Sequence, residues 1–369
     1  MENTQKRQKK KKDKKPLYIL GGFLLFFGLF IYVITRPSTQ SKAIDQVQVC
    51  SNVNDVKSIF ERYKFDLLET AEDGNKIVSL EFQTAVRNKL NSFKLTDNEI
   101  DDCIEWLPPA PTSINIIVVP DLSRRIIDTL NNPNQISNDI FVLQTIWKSF
   151  VDFSKLKQDT KDKLIIDVTD IDQAKGQFGD VANNLQFDLL NHKGKSNRLF
   201  FTSDKDKQFE MSIKEMYKLA KEKPLGADYR FYLRRYLVNH LKKPTLFDNY
   251  INKVVIITDG YLEAEGKPAD TKIKGFEQPL HKAVSIGNIL DVITSKGLNI
   301  PKVDIYLSNS EILICEVNER KTGKGFDFEI LKTYWEDWFK RMNAKKVVFI
   351  QREQANDLTA KRVTEFVKN

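Results

Sequence analysis

Two apolar runs in this chain end in a carboxylate. The first is Ile116-Ile117-Val118-Val119-Pro120-Asp121-Leu122-Ser123, and the second is Val254-Val255-Ile256-Ile257-Thr258-Asp259-Gly260. Short runs of Val and Ile form strands buried on both faces of a parallel sheet. An aspartate leaving the carboxyl end of such a strand sits where open α/β sheets bind ligands. Two carboxylates in one crevice repel and shift each other's pKa, so a cation or a basic side chain is expected between them. Oxygen donors without imidazole or thiolate suit Mg²⁺, Mn²⁺ or Ca²⁺ rather than zinc. His192, His240 and His281 are far apart and have no neighbouring cysteine, which argues against a zinc site.

The elements that must position these aspartates are legible as alternating strands and helices. Strand-like runs cover Ile114–Val119, Leu164–Val168, Val254–Ile257, Ile312–Val317 and Val347–Ile350. Between them Ile140, Leu143, Ile146, Trp147, Phe150 and Val151 recur at helical spacing. So do Phe328, Leu331, Trp335, Trp338, Phe339 and Met342. This alternation predicts an α/β fold: a doubly wound, mostly parallel sheet with helices on both faces. Residues 197–202 are expected to form an edge strand, followed by a helix at 209–222. Cys315 falls inside an apolar strand and is expected to be buried.

Upstream, Leu107-Pro108-Pro109-Ala110-Pro111 breaks any helix and sets a boundary, so the α/β domain is expected over 112–369. Residues 49–111 read as a small helical segment and its Pro-rich end. Phe82, Val86, Leu90 and Phe93 mark one helix, and Thr96 with Glu99 resembles a capping box. Cys50 and Cys103 could pair in an oxidising compartment or stand free. Residues 36–48 are polar and read as a linker.

The formal charge of +8 over 369 residues is unevenly spread. Eight Lys/Arg against two acids in residues 1–15 hold +6 of it, so the rest of the chain is close to neutral and nucleic acid is not an expected partner. Leu17–Thr35 follows, uncharged and about 28 Å long as a helix, against a bilayer core of ~30 Å. It predicts a transmembrane helix after a basic cytoplasmic tail (1–16), a single-pass membrane protein touching lipid through 17–35. The positive-inside rule then puts the main domain in periplasmic or extracellular space.

At its two strand-end aspartates the sequence resembles the von Willebrand factor A (VWA) family, whose metal-ion-dependent adhesion site has three parts. Asp121 and Ser123 match the first two positions of D-x-S-x-S, and Thr258-Asp259-Gly260 matches the strand-end Asp followed by Gly. The middle part corresponds to Leu225-Gly226-Ala227-Asp228 before a helical stretch, with Asp228 in place of a threonine; Arg125 replaces the second serine. The resemblance spans about residues 112–369. It implies a site built from Asp121, Ser123, Asp228 and Asp259, holding Mg, Mn or Ca, that binds another protein at the membrane surface. Tyr261, Glu263 and Glu265 would border that partner surface. The two departures allow two arrangements. Asp228 supplies the missing oxygen while Arg125 turns outward, or the Arg125 guanidinium takes the cation's position and pairs with Asp121 and Asp259.

The functional expectation is accordingly an adhesion or scaffold module rather than an enzyme. The alternatives are a metal-free structural component of an envelope complex, and a metal-dependent hydrolase using Asp121, Asp259 and Asp228 with Asp167 and Asp170. The sequence has no G-x-S-x-G elbow, no P-loop and no dinucleotide fingerprint.

Overall fold

A computed structural model describes residues 37–71, 75–108, 112–157, 160–169, 176, 178–192, 197–224, 227–243, 250–262, 285, 287–320, 327–353 and 356–368. They fall into two compact units. One comprises the described residues up to Leu68 with Asn88–Trp106, and the other comprises Glu69–Arg87 with Leu107 onward.

The smaller unit is helical. Helices Thr39–Val49 and Val53–Leu67 form a hairpin, with Asn52 capping the second through its side-chain oxygen and the Asp55 amide. Gln46 bridges them through Tyr63 Oη at 2.7 Å. Residues 39–48, expected to be linker, are helical because Ala43 and Val47 face inward at a four-residue spacing and are fully buried. Asp97–Cys103 starts at the expected capping box, with Thr96 and Glu99 exchanging bonds. Cys50 and Cys103 are both free thiols.

The larger unit is built on a six-stranded sheet. Its strands are β1 (Ser113–Pro120), β2 (Lys163–Ile166), β3 (Gln186–Asp188), β4 (Tyr250–Ile257), β5 (Ser310–Val317) and β6 (Lys346–Gln351). The spatial order is 3-2-1-4-5-6, with β3 antiparallel to β2 and every other pair parallel. This is the order of a doubly wound sheet, and its switch point lies between β1 and β4.

Alternation along the strands assigns two cores. Ile114, Ile116 and Val118 of β1 face helices α1 (Gln135–Lys155), α2 (Ser203–Glu222) and α4 (Asn356–Lys368). Ile117 and Val119 face the helical run 229–240 and α3 (Asp327–Arg341), which brings in Trp335, Trp338 and Phe339. All eight residues of β1 and of β5 are buried, in keeping with the apolar runs Ile116–Val119 and Ile312–Cys315 at their centres. Burying a side chain of Leu or Phe size contributes about 1.5–3 kcal/mol, so these faces carry the unit. The expected edge strand over 197–202 is instead a 3₁₀ turn, Asn197–Leu199, and the edge is the three-residue β3.

Among the described residues no helix is long and apolar enough to cross a membrane. The longest, α1, has 21 residues but carries Asp139, Lys148, Asp152 and Lys155. This overturns the expectation of a single-pass membrane protein with an external main domain. Residues 1–16 and 17–35, on which that expectation rested, lie outside the described residues, and the membrane assignment is not carried further.

Candidate functional site

Strands β1 and β4 run in register to their ends, Pro120 opposite Ile257, so Asp121 and Thr258–Asp259 emerge side by side at the switch point. The Thr258 hydroxyl donates to Asp121 Oδ2 at 2.9 Å, and the Ser123 amide donates to Asp121 Oδ1 at 3.0 Å. Ser123 Oγ in turn accepts the Arg125 amide at 3.4 Å, capping the 3₁₀ turn Arg124–Ile126. That turn folds Arg125 back under the strand ends.

The Arg125 side chain is only 1% exposed. Its Nε donates to the Asp121 carbonyl at 2.9 Å and lies 3.4 Å from Asp121 Oδ2. Its Nη2 donates to Asp139 Oδ2 at 2.7 Å and to the Ile257 carbonyl at 2.9 Å. Burial works against the guanidinium's charge, yet Asp139 first and Asp121 second hold its pKa above that of an exposed arginine. Asp139, on α1, also accepts from Gln135 Nε2 at 2.6 Å and Tyr217 Oη at 3.0 Å. Burial raises its pKa in spite of Arg125.

The network continues along the strand ends. Gln135 Oε1 also bonds Arg352, whose Nε donates to Glu316 Oε2 at 3.0 Å. Glu316 sits in a β-bulge: Ile314 pairs with Phe349 and Val317 with Gln351, so β5 has one residue more than β6 between them. Its φ of +65° is unusual for a residue with a Cβ, and the bulge turns its carboxylate away from the strand's alternation. Burial raises the Glu316 pKa, Asp139 adds to the rise, and Arg352 opposes it.

Asp259 has its own cation. Its Oδ2 accepts from Asn132 Nδ2 and from Arg320 Nη2, each at 3.3 Å, and its Oδ1 accepts the Tyr261 amide at 3.3 Å. Burial raises its pKa against the pull of Arg320. The Arg320 guanidinium stacks 4.1 Å from the Tyr261 ring centroid and keeps 23% of its side chain exposed. Gly260 makes the turn at φ +95°, where a Cβ would meet Val317 Cγ1 at 3.0 Å. The loop after β1 packs beside this edge through Asn318 Nδ2 and the Asn131 carbonyl at 2.7 Å. It presents Ile127 (43% exposed) and Leu130 (59%) to solvent.

The structure therefore brings Asp121, Ser123 and Asp259 together and corrects other expectations. Arg125 turns inward, and its second acidic partner is Asp139 rather than Asp259. Asp228 caps the helical run, its Oδ1 accepting the Phe231 amide at 3.0 Å. Tyr261 does not border the crevice as rim: it is buried beneath Arg320, and its hydroxyl donates to Asp327 Oδ2 at 2.7 Å. Glu263, Glu265 and Asp170 lie outside the described residues. Asp167 forms a separate cluster, accepting Tyr232 Oη at 2.9 Å with His240 Nε2 also at 2.9 Å. Among the described residues no group of three or more His, Cys, Asp or Glu side chains is arranged to hold a metal ion.

Several residues of the site were missed, Asp139, Glu316, Arg320 and Arg352 among them. Asp139 falls on the stripe of Leu143, Ile146 and Phe150, and a lone charge on an apolar stripe was its signal. Glu316 was hidden within an apolar strand, and Arg320 gave no signal. No protein-family model, curated protein or solved structure matches the chain.

Proposed function

We propose that this chain is a protein-recognition module of the VWA type that meets its partner at the crevice beyond β1 and β4. The observation that carries this reading is the Thr258–Asp121 bond: the two halves of the D-x-S and T-D-G pattern, 137 residues apart, meet in one hydrogen-bonded pair. The 3-2-1-4-5-6 sheet supports it by putting both at the switch point, the usual ligand crevice. Ile127 and Leu130 supply exposed apolar surface on the loop that Asn131 ties to Asn318, two residues before the partly exposed Arg320. That combination of aliphatic and guanidinium groups suits a protein surface.

A hydrolase drawing on one aspartate cluster finds less support, because Asp167 is engaged with Tyr232 and His240 and Asp228 with a helix cap. The test is a photo-crosslinking residue placed at Leu130 or Ile127, and at the exposed Met211 on α2 as a control. A discrete adduct from both crevice positions, lost on Arg320→Ala, is expected. Adducts from Met211 alone, or adducts indifferent to Arg320, would place recognition elsewhere.

A further inference from the structure

Resting on that reading of the crevice, we propose that the Arg125 guanidinium is its resident cation, so that the site holds its carboxylates together without a divalent metal. A metal site of the D-x-S-x-S kind needs oxygen lone pairs converging on one point at roughly 2.0–2.6 Å from the ion. Here the motif's oxygens are already engaged in hydrogen bonds. Asp121 spends Oδ2 on the Thr258 hydroxyl and Oδ1 on the Ser123 amide, with the Arg125 Nε 3.4 Å from Oδ2. Ser123 Oγ caps the turn that carries Arg125. Asp228, which stands where the family has its threonine, caps a helix.

The positive side of the site is equally complete. Arg125 contacts strand β1 through Asp121, strand β4 through the Ile257 carbonyl, and α1 through Asp139. It ties together the elements a bound ion would tie together, and does so with fixed fork geometry. Asp259 is neutralised separately by Arg320. Asp139 is the decisive addition: this fully buried carboxylate on α1 is paired, among the described residues, with the guanidinium reaching from the crevice. A dipositive ion added beside Arg125 would face a fixed charge of its own sign at pairing distance.

The test uses Mn²⁺ alone with the full chain. Free Mn²⁺ is read by electron paramagnetic resonance, and the Arg125 Nε–H by ¹H–¹⁵N spectra. The expected result is no Mn²⁺ uptake by the wild type. The Arg125 Nε–H signal should be slowly exchanging and stay sharp when Mn²⁺ is added. Arg125→Ser, which restores the second serine of the motif, should gain saturable Mn²⁺ binding, and Arg125→Ser/Asp121→Ala should lose it again.

Wild-type uptake abolished by Asp121→Ala, or paramagnetic broadening of the Arg125 signal, would overturn the proposal. So would a folded Arg125→Ser chain that still takes up no Mn²⁺, because the guanidinium would then not be what excludes the ion. If Arg125→Ser fails to fold, the wild-type spectra alone decide. None of these readouts needs a partner, so a failed crosslinking experiment leaves them intact, and their failure leaves protein recognition standing.

Discussion

The two ends of the sheet in the larger unit bury charge in different ways. At the amino end Lys253 pairs with Glu311 at 3.0 Å and also donates to the Phe366 carbonyl, while Asp162 accepts Lys157 at 3.0 Å, Ser154 and the Ile114 amide. Lys253 and Glu311 lie on adjacent strands, and Lys157 and Asp162 lie in the connection between α1 and β2, so each ion has its own counterion close by. At the carboxyl end Asp121, Asp139, Asp259 and Glu316 share Arg125, Arg320 and Arg352, and Asn134, Gly260 and Glu316 adopt positive φ. Matched pairs staple a fold. A run of buried acids threaded by arginines along strand ends is the arrangement on which the proposed recognition site rests.

Breaking the carboxyl-end network should have the largest effect. Arg125→Met removes the one side chain that pairs with both Asp121 and Asp139 and leaves those carboxylates buried. A loss of about 3–5 kcal/mol in unfolding free energy, measured by urea titration, is expected for an uncompensated buried pair. A loss below ~1 kcal/mol would mean that water reaches Asp139 and that the network is not sealed. The amino end should yield less: Lys253→Met leaves Glu311 with Lys345 at 3.2 Å, so about 1–3 kcal/mol is expected. Equal losses would erase the distinction drawn between the two ends.

Next in size is the turn between Asp259 and Tyr261. Gly260→Ala forces a Cβ onto a backbone at φ +95° and against Val317 and Leu331. A cost of roughly 1–3 kcal/mol follows from the strain, and Trp335 fluorescence should shift because its Nε1 donates to the Gly260 carbonyl at 2.8 Å. Gly297→Ala, at φ +61° with open space around it, should cost less and leave that fluorescence unchanged. The contrast separates backbone strain from steric collision.

These contrasts bear on what the sequence could disclose. The parallel strands were legible because burial favours consecutive Val, Ile and Leu, most fully in β1, β4 and β5 and less in the partly exposed β6, and the two aspartates were legible because they end such runs. The three-residue β3 was not, since two or three residues carry no period. Asp139 was not read as a site residue because the stripe it shares with Leu143, Ile146 and Phe150 was read as core packing, and Glu316 because it lies within an apolar strand. Only the fold reveals that Arg125 reaches Asp139 and that a bulge redirects Glu316. Arg125 was seen as an intruder in a metal motif, and its direction depended on a partner on α1 that spacing alone does not bring near.

The smallest expected effect gives the sharpest comparison, because its sign differs at the two ends. Glu316 has its pKa raised above its ordinary 4.5, chiefly by burial. Its contribution to stability is present below that value and is lost as pH rises through the folded pKa. Glu311 has its pKa lowered: burial pushes it up, but Lys253 more than offsets that. Its contribution is present above 4.5 and is lost as pH falls through the folded pKa. Glu316→Gln should therefore cost more stability near pH 4 than near pH 7, whereas Glu311→Gln should cost more near pH 7 than near pH 4. Urea unfolding of both variants across that range reads the two slopes directly. Slopes of the same sign would mean that the acids at the carboxyl end are as well matched by their arginines as Glu311 is by its lysines. The carboxyl-end network would then be a staple, and the argument for a recognition site there would lose its electrostatic footing.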